Sequence, residues 1–169
     1  MRITLAELEL HRVTASESYA PGLLDFHGAE FRQTAPLNLQ ATAELLGAEI
    51  RIQGNLTTRL EASCDRCLGG VEIPVSRDFD LFYRPLQSIA KEEEIEIPAD
   101  EMEVGFYSGD GIELADVATE QVILAVPMKV ICSGECRGLC PVCGANRNLT
   151  HCDCAPPQQD SPFASLKEE

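Results

Sequence analysis

Eight cysteines carry most of the chemistry this sequence can do: Cys64, Cys67, Cys132, Cys136, Cys140, Cys143, Cys152 and Cys154. Cys140-Pro141-Val142-Cys143-Gly144 has the form of a zinc knuckle. Two thiolates two residues apart can both reach one ion at ~2.3 Å, and a glycine after the second relieves the backbone of the turn. Cys152-Asp153-Cys154 can supply two further sulfurs, which completes a tetrahedral set. Cys64, Cys67, Cys132 and Cys136 remain for a second set. The spacing leaves the pairing open, because Cys64 and Cys67 can instead join Cys140 and Cys143, with one site degenerate. Either arrangement gives closed sites of four thiolates without a position for water, so one or two zinc ions would be structural and not catalytic. His151, beside Cys152, reads as a surface residue because four cysteines already suffice.

Three other uses of the same residues compete. Four disulfides need an oxidising compartment, and the N-terminus, Met1 to Glu9, breaks its apolar residues with glutamates and has no secretory apolar region. A thioredoxin-like CxxC should open a helix whose N-terminus lowers the thiolate pKa, whereas Cys67 is followed by Gly69-Gly70 and a strand-like run. Cys136-x3-Cys140-x2-Cys143 matches the spacing of iron–sulfur sites in radical enzymes, but too little chain follows to build a barrel. A redox or iron–sulfur protein stands as the alternative, together with a zinc-ribbon RNA-binding module.

The elements that must position these cysteines show in the hydrophobic pattern. Leu37 to Ala41, the run holding Ile50, Ile52, Leu56 and Leu60, the run Val71, Ile73 and Val75, and the run Phe79, Leu81 and Tyr83 alternate at period two. They predict antiparallel strands, with Cys64-Asp65-Arg66-Cys67-Leu68-Gly69-Gly70 at a hairpin tip where the glycines permit a tight reversal. Leu114, Val117, Ala118, Gln121, Val122 and Ala125 follow a helical register that Pro127 ends. Residues 91–103 hold seven acidic side chains against one lysine and read as a solvated loop. Pro156 to Gln159 reads as a linker, and Pro162 to Leu166 as a short helix capped by Ser161. The expected fold is α+β: a mainly antiparallel sheet with one or two packed helices and a C-terminal cysteine-rich zinc-knuckle segment. The expected organisation is a domain over 1–131 that includes the CxxC hairpin, the cysteine-rich segment 132–155 packed on it, and 156–169 as linker and short helix.

The chain has 169 residues, 13 basic against 28 acidic, a formal charge of −15, and a 44% hydrophobic fraction. One domain of this size can bury a core without staples, and no apolar run approaches the ~20 residues of a membrane span. The charge disfavours tight general binding of RNA, whose phosphates need a basic face, and suits a basic partner instead. The basic residues nearest the knuckles, Lys129, Arg137 and Arg147, are where a local RNA contact would fall. His11 and His27 lie in no motif, and no G-x-S-x-G, P-loop or HExxH pattern occurs. Nothing here asks for an enzyme or a small-molecule substrate, and the reading is of a cytoplasmic protein.

Four blocks in this order resemble the YceD family of large ribosomal RNA subunit accumulation proteins. They are Cys64 to Leu68, Glu120 to Pro127, Cys136 to Asn146, and Ser161 to Leu166. The resemblance covers about Leu37 to Leu166. It implies a non-enzymatic role in accumulation of the large-subunit (23S) ribosomal RNA, and hence in biogenesis of the large ribosomal subunit. A basic ribosomal protein or a pre-ribosomal particle would be the partner.

Overall fold

The computed structural model describes residues 1–86 and 104–155. Contacts divide these residues into two compact units, one of 1–62 with 72–128 and one of 63–71 with 129 onward. The CxxC hairpin falls in the same unit as the later cysteines. The expected acidic loop at 91–103, linker at 156–159 and helix at 162–166 lie outside the described residues.

The first unit is α+β. β1 (Arg2–Thr4) leads into α1 (Leu5–Leu10), followed by β2 (Val13–Tyr19), β3 (Phe31–Gln33), β4 (Leu37–Leu46) and β5 (Glu49–Ser63). β6 (Gly70–Pro85), β7 (Val104–Tyr107), β8 (Gly111–Glu113) and α2 (Leu114–Ala125) complete the described elements. The larger sheet runs β2-β4-β5-β6-β7, and β3 pairs with β5 where β4 leaves off. β2–β4, β4–β5 and β3–β5 are antiparallel, while β6–β7 is parallel.

The alternation seen in the sequence sets the faces. Leu37, Leu39, Ala41 and Ala43 of β4 and Ile50, Ile52, Leu56 and Leu60 of β5 all point into one core, because successive strand side chains alternate sides. Gly54 falls on that same face of β5. A Cβ there would stand 2.7 Å from Phe79 Cζ and would collide with the Gln40 carbonyl oxygen, so the missing side chain is what lets Phe79 lie over the strand.

α2 buries Leu114, Val117, Ala118, Gln121 and Val122, the stripe its periodicity predicts. Gln121 is polar, and its Oε1 accepts from Arg77 Nε on β6 at 2.9 Å. Two features escaped the sequence reading. α1 begins in a capping box in which Thr4 Oγ1 accepts from the Glu7 N–H at 3.4 Å and Glu7 Oε2 accepts from the Thr4 N–H at 3.0 Å. β1 pairs antiparallel with β8, so that Ile3 and Ile112 are buried as direct partners. Among the described residues no helix is long and apolar enough to cross a membrane.

Candidate metal centres

The second unit is built on two knuckles with the same hydrogen-bond pattern. In the first, the Leu68 N–H donates to Cys64 O at 2.8 Å and the Cys64 N–H to Gly69 O at 2.8 Å. In the second, the Gly144 N–H donates to Cys140 O at 2.9 Å and the Cys140 N–H to Ala145 O at 2.8 Å. Each turn needs a left-handed residue immediately after its second cysteine. Gly144 supplies it at φ 72°, as the spacing suggested, but in the first knuckle Leu68 does so at φ 59°. The reversal there does not use Gly69 or Gly70 for that conformation. The tight knuckle places the demand on whichever residue follows the second cysteine, and here that residue is leucine.

Two groups of four cysteines could hold metal ions: Cys64, Cys67, Cys132 and Cys136 in one, and Cys140, Cys143, Cys152 and Cys154 in the other. Within each, the four Sγ atoms lie within 4.8 Å of one another. In the first group Cys64 and Cys136 Sγ are 3.9 Å apart, and Cys67 and Cys132 Sγ 3.7 Å. A tetrahedron with ~2.3 Å metal–sulfur bonds has edges of about 3.8 Å, whereas a disulfide brings sulfurs to about 2.05 Å. The donor set therefore fits one tetrahedral, thiolate-loving ion per group. The two knuckles do not pool their thiols around a single ion, and Cys136 sits in a different group from Cys140 and Cys143, which separates the residues of the iron–sulfur spacing.

Residues between and beside the cysteines hold the first group in place. Asp65 Oδ2 accepts from the Val130 N–H at 2.7 Å, while the Asp65 N–H donates to Val130 O at 2.8 Å. Arg66 Nη1 donates to Cys136 O at 3.1 Å, and the Leu139 N–H donates to Arg66 O at 2.9 Å. Every residue of the Cys64-Asp65-Arg66-Cys67 tip thus grips the later segment. The Cys132 N–H donates to Cys64 Sγ at 3.4 Å, and Asn148 Nδ2 donates to Cys136 Sγ at 3.3 Å. The sequence reading missed Asp65, Arg66 and Asn148. An Asp-Arg pair inside a CxxC was the visible signal for the first two, while Asn148 carried none.

Hydrogen bonding sorts the thiols. N–H groups of Arg66 and Cys132 aimed at its sulfur hold Cys64 down at about 6, and those of Cys143 and Val142 do the same for Cys140, also at about 6. The Asn148 amide leads the lowering of Cys136. Cys132, which donates to Cys136, and Cys154, which donates to Cys143, are pushed up to about 12. Each group so combines sulfurs ready to ionise with sulfurs that keep their protons until a cation offsets the crowded negative charge. Burial differs as well: Cys64, Cys67, Cys136 and Cys140 are buried, whereas Cys132, Cys143 and Cys154 are exposed.

The remaining sequence candidates fall around the second group. Arg137 and Arg147 line one groove of about 620 Å³ with Asn148, Thr150 and His151. His151 is exposed, with Nδ1 3.4 Å from Asp153 Oδ1. Lys129 is exposed and does not line that groove.

A family model described as large ribosomal RNA subunit accumulation protein YceD matches residues 52–168, a span that contains all eight cysteines. An uncharacterized protein of Mycobacterium leprae is 26% identical over 112 residues, 66% of this chain and 49% of its own length. The large ribosomal RNA subunit accumulation protein YCED homolog 1, chloroplastic, of Arabidopsis thaliana is 24% identical over 153 residues, 72% of this chain and 45% of its own. An uncharacterized protein of Mycobacterium tuberculosis is 28% identical over 143 residues, 82% and 63% respectively. The chain thus spans about half the length of the first two relatives and less than two thirds of the third. No solved structure matches. With the family model covering well over half of the chain, and the paired cysteine knuckles inside the matched span, the protein belongs to the YceD family.

Proposed function

We propose that this protein is a non-enzymatic factor that supports accumulation of the 23S ribosomal RNA and, through it, biogenesis of the large ribosomal subunit. The family match over 52–168 is the observation that carries this reading. The cysteine unit is folded around two structural zinc ions, one in each tetrathiolate group. Support comes from the all-sulfur donor sets and the ~3.8 Å sulfur spacing of the first group, which leave no ligand position for a substrate.

The partner is a basic ribosomal protein or a pre-ribosomal particle, met in the cytoplasm. A chain of −15 attracts such a surface and repels naked RNA at long range, so a contact with ribosomal RNA is confined to local basic residues.

Depletion of the protein in its own cells tests the role directly. The ratio of 23S to 16S RNA should fall and recover on re-expression; an unchanged ratio refutes the reading. Elemental analysis of anaerobically purified protein tests the metal separately. About two zinc per chain are expected, and a brown protein carrying iron and acid-labile sulfide sinks the zinc assignment.

A further inference from the structure

The ten arginines of this chain are divided by what their side chains touch. Arg2, Arg12, Arg32, Arg51, Arg59 and Arg84 each sit within 3.3 Å of a carboxylate. Arg77 is spent on Gln121, and Arg66 on the Cys136 carbonyl. Among the described residues only Arg137 and Arg147 have guanidinium groups without a partner, and both line the same groove.

Backbone pairing fixes them side by side. The Arg137 N–H donates to Asn148 Oδ1 at 2.8 Å, the Arg147 N–H donates to Gly138 O at 3.0 Å, and Leu139 bridges Asn146 antiparallel. Thr150 adds a hydroxyl and His151 a ring to the groove, and the exposed Leu149 an apolar surface. The described part of this unit has four basic against three acidic side chains, whereas the described part of the other has seven against fifteen.

We infer that the Arg137–Arg147 groove binds the phosphodiester backbone of single-stranded RNA, each guanidinium taking one phosphate. This rests on the proposed role in ribosomal RNA accumulation and names the part of the surface that would meet the RNA. Arginine suits the task because its planar fork pairs two N–H donors with two phosphate oxygens. A loaded tetrathiolate beside the groove carries about −2, so the attraction is short-ranged and requires direct contact. The ligand is held chiefly by its backbone and not by its bases, since no Phe, Tyr or Trp lines the groove and His151 is its one ring.

The test uses the zinc-loaded full chain and a labelled oligouridylate of about 12 nucleotides, within the span that single-strand grooves cover. Two phosphate contacts to a single strand predict a log–log salt slope of about −1.4. The double variant Arg137→Gln with Arg147→Gln should bind about tenfold more weakly and lose most of that slope. Arg32→Gln combined with Arg59→Gln, which removes the same two charges from the other unit, should bind as the wild type does. Zinc content and circular dichroism establish that the double variant is folded. Absent wild-type binding, equal binding by the double variant, or displacement by millimolar inorganic phosphate at matched ionic strength would each overturn the inference. The 23S-to-16S ratio in depleted cells is read independently, so a failed groove and a failed role give different results.

Discussion

Asn148 Nδ2 stands 3.3 Å from Cys136 Sγ, so a residue from the loop that connects Cys143 to Cys152 supports a sulfur of the other cysteine group. Its Oδ1 accepts from the Arg137 N–H, which fixes the amide and leaves Nδ2 to donate to the sulfur. Partners of this kind orient metal ligands and tune their basicity. The two groups are therefore linked through one side chain, and disturbing the loop of the second disturbs the first.

Asn148→Ala should weaken metal binding by the first group by roughly 10- to 100-fold, the range seen when outer partners of metal ligands are removed. Chelator competition combined with cysteine-resolved alkylation and mass spectrometry checks this. Cys64 and Cys136 should become reactive at lower chelator concentration than in the wild type. Unchanged protection of both would show that the amide is ornamental.

Chelation should proceed in two steps in the wild-type protein. Cys143 and Cys154 are exposed, whereas the first group keeps three of its four sulfurs buried. A chelator should reach the metal of Cys140, Cys143, Cys152 and Cys154 first, and alkylation of Cys143 should precede that of Cys64. Simultaneous release of both metals would contradict this order.

Arg51 and Asp80 form a bidentate pair across β5 and β6, with contacts of 2.9 and 2.6 Å, and Gln53 Nε2 adds a donor at 2.9 Å. The Arg51 guanidinium, with help from Gln53, holds the Asp80 carboxyl below its ordinary value. A depressed carboxyl contributes stability above its unfolded pKa and loses that contribution as pH falls through the folded one. Asp80→Asn should therefore lower the Tm at pH 7 by about 1–3 °C, the scale of a solvent-screened pair. The gap from wild type should begin to narrow near pH 4 and close as pH falls through the depressed pKa of the folded carboxyl, where both states are protonated. Thermal scans at pH 7 and through that acid range decide it, and a gap that persists in acid would assign the effect to packing.

Gly54→Ala places a methyl group between the Gln40 carbonyl and the Phe79 ring. Both are held in the sheet and its core, so neither can yield cheaply. A loss of about 1–3 kcal/mol is expected from overpacking, read by urea denaturation. Stability equal to wild type would mean that Phe79 rotates away without cost, and Gly54→Ala with Phe79→Leu should then show no rescue.

How much of this protein was legible before folding depends on whether the information was local. The period-two run of Leu37, Leu39 and Ala41 set one face of β4, and the spacing of Leu114, Val117, Ala118 and Val122 set one face of α2, because strand and helix periods are properties of the chain itself. The cysteine spacings marked the knuckle pairs for the same reason, since a CxxC turn closes within a few residues, but left open which pairs share an ion.

The three-dimensional arrangement decided what those elements meet. Arg2 faces Glu113 across the β1–β8 pair, β7 lies parallel to β6, and the Cys64–Cys67 tip joins the segment after Lys129, each across a chain separation that no local period reports. Leu68 takes the left-handed conformation that neither of the two glycines after it takes, and Asn148, one polar loop residue among several, becomes the support of a distant sulfur. Periodicity and spacing depend on neighbours along the chain and can be read in order. Strand partners, outer-sphere hydrogen bonds and unpaired guanidiniums depend on which surfaces come together, and that is settled only when the whole chain packs.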